Sequence, residues 1–188
     1  MKATGIVRRI DDLGRVVIPK EIRRTMRIRE GDPLEIYTDR EGEVIFKKYS
    51  PIGELVGFAS QYAETLHKTC ALSVVICDRD AVIACSGVPR REYGDKALSD
   101  ELEAIINGRS LYVWKEGEPK LPVLPTSVGE ASHFISCAMP IISEGDIVGC
   151  VVSLQSTEGA RGAGVPTGDV EVKLIQTAAG FLGKQLES

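Results

Sequence analysis

Residues 15–24, which read Arg-Val-Val-Ile-Pro-Lys-Glu-Ile-Arg-Arg, constrain the fold of this chain more than any other stretch. Residues 15–18 are expected to form a short, mostly apolar strand, and Pro19 stops it because proline cannot donate to a strand ladder. Proline suits the first turn of a helix, so a helix is expected to follow at once. That helix carries the paired arginines Arg23 and Arg24. The stretch therefore predicts a strand and a short basic helix with almost no loop between them.

Positive charge is concentrated at the same end of the chain. Residues 1–29 hold nine lysines and arginines against three acidic residues, a net charge of +6, whereas the whole chain carries −4. Such an asymmetry indicates a surface for a polyanion. Arginine suits this role because its planar guanidinium group matches phosphate oxygens and the edge of guanine. The alternative is a solvated basic face with no partner.

The first fifty residues predict four short strands around that helix. Strands at 5–10 and 15–18 flank a turn at 11–14, in which Gly14 can take a positive φ, and a second hairpin spans residues 34–48. Four short strands and about two helical turns enclose little core, so a domain of this size often depends on oligomerisation. A symmetric dimer with interleaved hairpins would supply the missing core.

These residues resemble the AbrB-type swapped-hairpin DNA-binding domain, and the resemblance covers the whole segment 1–50. It rests on the motifs KxTGIVR at 2–8, DxGRVVIP at 12–19, ExRR at 21–24 and LEI at 34–36. In that family the hairpins of two chains interlock into a dimeric β-barrel. The resemblance implies that four arginines contact DNA: Arg8, Arg15, Arg23 and Arg24. Further contacts are expected from Lys2, Arg9 and Lys20.

The resemblance also implies a function. We expect a DNA-binding transcription regulator of sporulation genes in the forespore, acting as activator and repressor and having no enzymatic activity. The implied partner is double-stranded DNA, bound by a homodimer, and we expect no cofactor, metal ion or membrane partner. No apolar run approaches the roughly 20 residues that span a bilayer, and the first residues lack a signal-peptide apolar region. We therefore expect the protein in the cytoplasm, associated with the nucleoid.

A domain boundary is expected at Ser50-Pro51, which separates a domain at 1–50 from one at 51–188. Residues 51–70 predict a connecting helix, because apolar residues recur at alternating spacings of three and four. These seam residues are Ile52, Leu55, Ala59, Tyr62 and Leu66. The helix either packs on its own domain or forms an oligomerisation seam with the same helix of another subunit. The family resemblance favours the seam and a homotetramer assembled through the C-terminal domain.

The remainder of the chain predicts an antiparallel sheet flanked by helices, an α+β arrangement. Strands are expected at 71–77, 81–85, 111–114, 133–140 and 147–155, and helices at 90–107 and 169–187. The order of elements and the stretches SVVICD at 73–78 and IVGCVV at 147–152 resemble a GAF domain, a module that senses small molecules. The resemblance implies an unidentified small-molecule effector. The Asn-Lys-Phe-Asp-Glu signature of cyclic-nucleotide GAF domains is absent, which argues against that ligand.

Two alternative functions remain open. GAF-like sulfoxide reductases use cysteines, and this chain has five, so a cysteine-dependent reductase is the enzymatic alternative. An antitoxin-like partner protein would share the N-terminal barrel, but such proteins carry a disordered acidic tail, whereas the C-terminal patterning here is globular. The cysteines form no Cys-x-x-Cys pair, and the sequence predicts neither catalytic residues nor metal ligands.

Overall fold

The chain divides into two compact units, Met1–Tyr49 and Ser50–Ser188. This division is seen in a computed structural model that describes residues 5–126, 131–159, 164 and 168–187. None of the described helices is long and apolar enough to cross a lipid bilayer.

The first unit contains one short helix and one hairpin. Helix α1 (Lys20–Thr25) begins directly after Pro19, as expected for a residue that suits the start of a helix. Strands β1 (Leu34–Thr38) and β2 (Val44–Lys48) pair antiparallel, with Ile36 opposite Phe46. The predicted basic helix and second hairpin are therefore both present.

The strands predicted at 5–10 and 15–18 are absent from the single chain, although the turn between them forms. Gly14 takes φ +76° there, and its amide donates to the carbonyl oxygen of Asp11 at 3.0 Å. A strand needs a neighbouring strand to satisfy its backbone groups, and within one chain these two segments have no sheet to join. The prediction of strands is wrong for one chain taken alone.

The first unit has almost no interior of its own. Pro19 is the single buried residue among residues 5–49. Large apolar side chains stay in solvent, and the most exposed of them, Val7, keeps 87% of its surface accessible. The exposed set is Ile6, Val7, Ile10, Leu13, Val16, Val17, Met26, Ile36, Tyr37, Val44, Phe46 and Tyr49. Burial of apolar surface is the main stabilising term in folding, so this unit lacks most of that term in the single chain.

The second unit is built on a five-stranded antiparallel sheet in the order β4-β3-β7-β6-β5. Its elements, in chain order, are a 3₁₀ turn (Pro51–Leu55), α2 (Val56–Cys70), β3 (Ser73–Cys77), β4 (Val82–Ser86), α3 (Arg90–Tyr93), α4 (Asp100–Asn107), β5 (Tyr112–Val113), β6 (His133–Ser143), β7 (Asp146–Ser156) and α5 (Gly168–Gln185). The predicted antiparallel sheet with flanking helices is confirmed.

Each face of the sheet carries its own apolar core. Val74 and Ile76 belong to one core together with residues of α2 and α5, whereas Val75 and Cys77 belong to the other together with residues of α3 and α4. This division follows from strand geometry, because successive side chains point to opposite faces. Helices therefore cover both faces of the sheet.

The helix predicted at 90–107 is divided into α3 and α4 by an extended segment. Leu98 donates its amide to Asp80, and Ala97 pairs with Ala81, so the segment forms backbone contacts beside β4. Ser99 then caps α4, because its hydroxyl oxygen accepts a hydrogen bond from the amide of Leu102 at 3.1 Å. Tertiary pairing thus replaces the helical backbone that the sequence pattern suggested.

Candidate nucleic-acid interface

The turn at residues 11–14 is closed by the side chain of Asp11. Its Oδ1 atom accepts hydrogen bonds from the amides of Leu13 at 3.1 Å and Arg15 at 2.8 Å. The amide of Asp11 donates in return to the carbonyl oxygen of Arg15 at 3.0 Å. An aspartate that bonds the backbone two and four residues ahead fixes the path of the chain through such a turn. The place where Arg15 leaves the turn is therefore set by Asp11.

The same carboxylate holds the guanidinium group of Arg15. The Nε atom of Arg15 donates to Asp11 Oδ2 at 2.8 Å. Hydrogen bonds from the backbone and then the side chain of Arg15 lower the pKa of the Asp11 carboxyl from its ordinary value of 3.8. The Arg15 side chain is nevertheless 69% exposed. Sequence reasoning missed this pairing, although an aspartate three residues before a glycine is a recognisable turn signal.

Helix α1 separates its basic residues. Lys20 and Arg24 lie four residues apart on one helical face, and both are exposed. Arg23 is half-buried, and its Nε atom is buried without a hydrogen-bond partner among the described residues. A buried unpaired donor is costly, so this atom is short of a partner in the single chain.

Arg8 and Arg9 precede the turn and are both exposed. Lys2, which the sequence also predicts as a DNA contact, lies outside the described residues. No carboxylate among the described residues pairs with Arg8, Arg9 or Arg24, which leaves these charges available to a polyanion.

The predicted seam of the connecting helix needs correction. Ile52, Ala59 and Leu66 are buried in the core between α2 and the sheet of their own unit. Leu55 and Tyr62 are half-buried, and Ile52 lies in the 3₁₀ turn before α2 rather than in the helix itself. Apolar residues at alternating spacings of three and four suit packing on the chain's own sheet as well as they suit a seam between subunits. Most of the seam residues are therefore occupied within their own unit.

A different surface of the helical layer remains apolar and open. Phe58 of α2 stacks on Phe181 of α5 with ring centroids 5.6 Å apart, and Tyr62 stacks on Phe181 at 5.7 Å. Phe58, Phe181 and Val56 are all exposed. We call Phe58, Tyr62 and Phe181 the aromatic face. Sequence reasoning missed Phe58 and Phe181, because only the pairing of α2 with α5 brings them together.

A cavity of about 180 Å³ opens on the face of the sheet that α3 and α4 cover. Its polar lining includes Glu92, Tyr93, Ser132 and His133, and Val123 contributes to its apolar lining. The His133 Nδ1 atom lies 3.0 Å from the Ser132 hydroxyl and 3.5 Å from the Tyr93 hydroxyl. Burial lowers the pKa of His133 from its ordinary value of 6.5, and the charge of Glu92 opposes that shift. The arrangement offers both donors and acceptors to a small polar molecule.

The cysteines are placed as core residues. Cys77, Cys137 and Cys150 are buried, and burial raises the pKa of Cys137 to about 12 and that of Cys150 well above its ordinary value. Burial also raises the pKa of the half-buried Cys85. The thiolate is the reactive form of cysteine, so these shifts disfavour nucleophilic chemistry. No group of three potential ligands is arranged for a metal ion in the described part of the chain.

Comparison with known proteins agrees with this two-unit arrangement. Residues 54–187 match the family model described as stage V sporulation protein T C-terminal, transcription factor. Residues 7–53 match the model described as antidote-toxin recognition MazE, bacterial antitoxin.

Two curated proteins of Bacillus subtilis (strain 168) are similar in sequence. Stage V sporulation protein T is 51% identical over 187 residues, which cover 100% of this chain and 99% of that protein. The transition state regulatory protein AbrB is 65% identical over 51 residues, which cover 27% of this chain and 52% of AbrB.

Solved structures show looser likenesses. The solution structure of the N-terminal DNA recognition domain of AbrB is 63% identical, covers 27% of this chain and 94% of that domain, and gives a TM-score of 0.24. The GAF domain of the nutrient sensor CodY from Clostridium difficile is 16% identical, covers 68% of this chain and 83% of that domain, and gives a TM-score of 0.44.

The sequence matches define the class as a transcription factor with an AbrB-type N-terminal domain. One relative is 51% identical over the whole chain, and the family model of that relative's C-terminal domain covers residues 54–187. The chain belongs to the stage V sporulation protein T family.

Proposed function

We propose that the chain regulates the transcription of sporulation genes by binding double-stranded DNA as an intertwined dimer of its first unit. The observation that carries the proposal is the exposure of most large apolar side chains in a unit that also holds the basic excess. An apolar surface of this extent marks a contact site, and a second copy of the same unit supplies apolar groups of the same kind. The regulator acts in the forespore, as activator at some genes and repressor at others.

Dimer formation also accounts for the strands that the first unit lacks in the single chain. Residues 5–10 and 15–18 form no strand in the single chain, and interleaved hairpins of two chains would give them ladder partners. The dimer would also double the basic surface, because each copy brings its own arginines. This is the swapped-hairpin barrel that the sequence resemblance implies.

DNA is contacted by the basic residues of both copies. The proposed contacts are Arg8, Arg9, Arg15, Lys20, Arg23, Arg24 and Lys2. If about four arginines of each chain neutralise phosphates, a dimer releases counterions from roughly eight, and log K falls with log salt at a slope of about −7.

The second unit brings dimers together and senses a small molecule. Its aromatic face is the contact surface, because Phe58 and Phe181 together present stacked rings to solvent. Stacked aromatic rings are common in protein interfaces, where they bury much apolar area. The product is a homotetramer. The cavity lined by Tyr93 and His133 holds the unidentified effector.

The enzymatic alternative is disfavoured by the thiols themselves. A cysteine-dependent reductase needs an accessible thiolate, whereas burial raises the pKa of Cys137 to about 12 and keeps Cys150 protonated. The two functions separate in a thiol titration of the native full chain. The half-buried Cys70 and Cys85 can react in either case, so the test concerns the three buried thiols. A regulator leaves Cys77, Cys137 and Cys150 unreactive until denaturant is added, whereas a reductase that uses one of these three contains a thiol there that reacts at once.

The antitoxin alternative draws on the match of residues 7–53 to the MazE model. That match covers the first unit, whereas the second unit is folded and matches the sporulation family. Pull-down of a toxin protein by the full chain would favour the alternative.

The experiment that tests the proposal is a salt titration. A labelled duplex is bound by the full chain at increasing salt, and the slope of log K against log salt is measured by fluorescence anisotropy. We expect a slope of about −7. A nearly flat line contradicts the proposal.

Dimerisation is tested separately with two matched variants. Val17→Asp places a charge on the exposed apolar surface of the first unit, and we expect monomeric first units and loss of DNA binding. Val113→Asp makes the same change at an exposed position in the second unit and should leave DNA binding intact. Equal binding by both variants would argue against the intertwined dimer.

A further inference from the structure

Arg15 differs from Arg8, Arg9 and Arg24 because a carboxylate binds its guanidinium group. Asp11 Oδ2 accepts from Arg15 Nε at 2.8 Å, and Asp11 Oδ1 accepts from the Arg15 amide at 2.8 Å. One aspartate therefore fixes both the backbone and the guanidinium group of the same arginine. Arg8, Arg9 and Arg24 have no such partner among the described residues.

The pairing changes what the guanidinium group can recognise. The carboxylate cancels most of its net charge, so the Coulomb attraction of Arg15 for a phosphate is weakened. Two other donor atoms of the guanidinium group, Nη1 and Nη2, remain available to DNA. They have no partner in the described residues, and 69% of the side chain is exposed. Those two atoms match the O6 and N7 acceptors of guanine, a neutral base edge.

Orientation adds to this selectivity. An unpaired arginine side chain loses rotamer entropy when it is fixed in one geometry. Asp11 fixes Arg15 before DNA arrives, so less of that cost falls on binding. The hydrogen bonds that lower the pKa of Asp11 favour its ionised form, in which both carboxylate oxygens accept.

We propose that Asp11 is a positioning residue that makes Arg15 a reader of guanine in the major groove, while the unpaired arginines contact phosphates. The proposal rests on the DNA-binding function proposed above and deepens it. It divides the basic residues into one that carries sequence specificity and others that supply affinity, a division common in protein–DNA interfaces.

Asparagine at position 11 separates the two roles of the aspartate. Asp11→Asn keeps an oxygen that accepts from the amides of Leu13 and Arg15, so the turn is retained. It replaces Oδ2 with an amide group that cannot accept from Arg15 Nε. Asp12→Asn is the matched control, because it removes the same charge from the same turn and its carboxylate forms no ion pair among the described residues.

The probes are two duplexes of equal length and composition. One is enriched from a randomised duplex library by the wild-type full chain, and the other is its shuffled sequence. The specificity ratio is the affinity for the first divided by that for the second. We expect Asp11→Asn to lower this ratio about tenfold for each half-site, or roughly a hundredfold for a dimer, since one good bidentate base contact is worth about a factor of ten. The variant should bind the shuffled duplex as well as wild type or better. Asp12→Asn should keep the wild-type ratio.

A double-mutant cycle shows whether Asp11 acts through Arg15. Arg15→Ala should lower the ratio by itself, and adding Asp11→Asn to it should change nothing further. A thermal melt followed by circular dichroism verifies that each variant is folded. Replacing the guanines of the enriched duplex with 7-deazaguanine should weaken wild type at one guanine per half-site and leave Arg15→Ala unaffected there.

Several results would overturn the assignment. An unchanged ratio for Asp11→Asn shows that the ion pair has no role in reading sequence. If Asp12→Asn lowers the specificity ratio as much as Asp11→Asn does, the effect comes from the lost charge alone. If the losses of Asp11→Asn and Arg15→Ala add in the double mutant, the effect comes from the turn rather than from Arg15. If the wild-type chain binds neither duplex, the proposed DNA-binding function itself fails. If the wild-type chain binds DNA and Asp11→Asn has the same specificity ratio, only the role of Asp11 fails.

Discussion

Phe58 and Phe181 stack at 5.6 Å with their ring planes 28° apart, and both rings remain open to solvent on the outer side of α2 and α5. The stack joins two helices that also pack on one sheet, so it lies on a rigid support. Stacked aromatic rings left in solvent forgo the stabilisation that burial would give them.

The first prediction concerns this aromatic face. Phe181→Ser should lower the mass of the assembly measured by light scattering, because it removes the ring that contacts both Phe58 and Tyr62. Val113→Ser is the matched control, since Val113 is an exposed apolar residue away from α2 and α5. The interface is elsewhere if Phe181→Ser and wild type have the same mass.

The second prediction concerns phosphate contacts. Arg24→Ala should weaken binding to every duplex by a similar factor, because an exposed unpaired arginine contributes charge rather than sequence information. The salt slope should fall in magnitude by roughly two for a dimer, about one for each lost contact. Arg91→Ala, at an exposed arginine of the second unit, should change neither quantity. A change in sequence preference caused by Arg24→Ala would assign this arginine to base reading instead.

Sequence periodicity predicted which segments are helical or extended but not what they pack against. Spacings of three and four place Ile52, Ala59 and Leu66 on one side of a helix, and this is equally true whether the side faces another subunit or the chain's own sheet. The strands β3, β6 and β7 were predictable because their apolar runs have few alternative explanations. The break between α3 and α4 was not, because it depends on pairing with residues 80 and 81.

The candidate site likewise has residues that the sequence predicted and contacts that it did not. The basic residues were visible from composition and motif, since charge does not depend on the fold. The ion pair between Asp11 and Arg15 was not visible, because it requires the turn to bring the residue four positions later back onto the first. Likewise, Phe58 and Phe181 are distant in sequence and meet only when both helices lie on one sheet.

The third prediction concerns how α5 is seated on the sheet. A Cβ atom at Gly183 would collide with the backbone carbonyl oxygen of Ile142 in β6, an atom that no side-chain rotation can move. Gly183→Ala should therefore lower the free energy of unfolding by about 1–3 kcal/mol, measured with urea. Gly180→Ala on the same helix meets nothing within 4 Å and should raise stability by about 0.4–1 kcal/mol. Equal losses for both variants would point to the helix as a whole rather than to the contact.

The last prediction concerns pH. Burial lowers the pKa of His133 in the folded chain, so the unfolded chain takes up a proton first as pH falls. The stability that neutral His133 contributes is fully present above its ordinary pKa of 6.5 and is lost progressively below it, until the lowered pKa of the folded state is reached. The urea midpoint of wild type should therefore fall between about pH 7 and pH 5, and His133→Gln should show a smaller fall over that range. An identical fall in the two proteins would assign the pH dependence to other groups. An effector bound beside the Tyr93 hydroxyl should raise the urea midpoint at every pH, because occupation of the cavity favours the folded state.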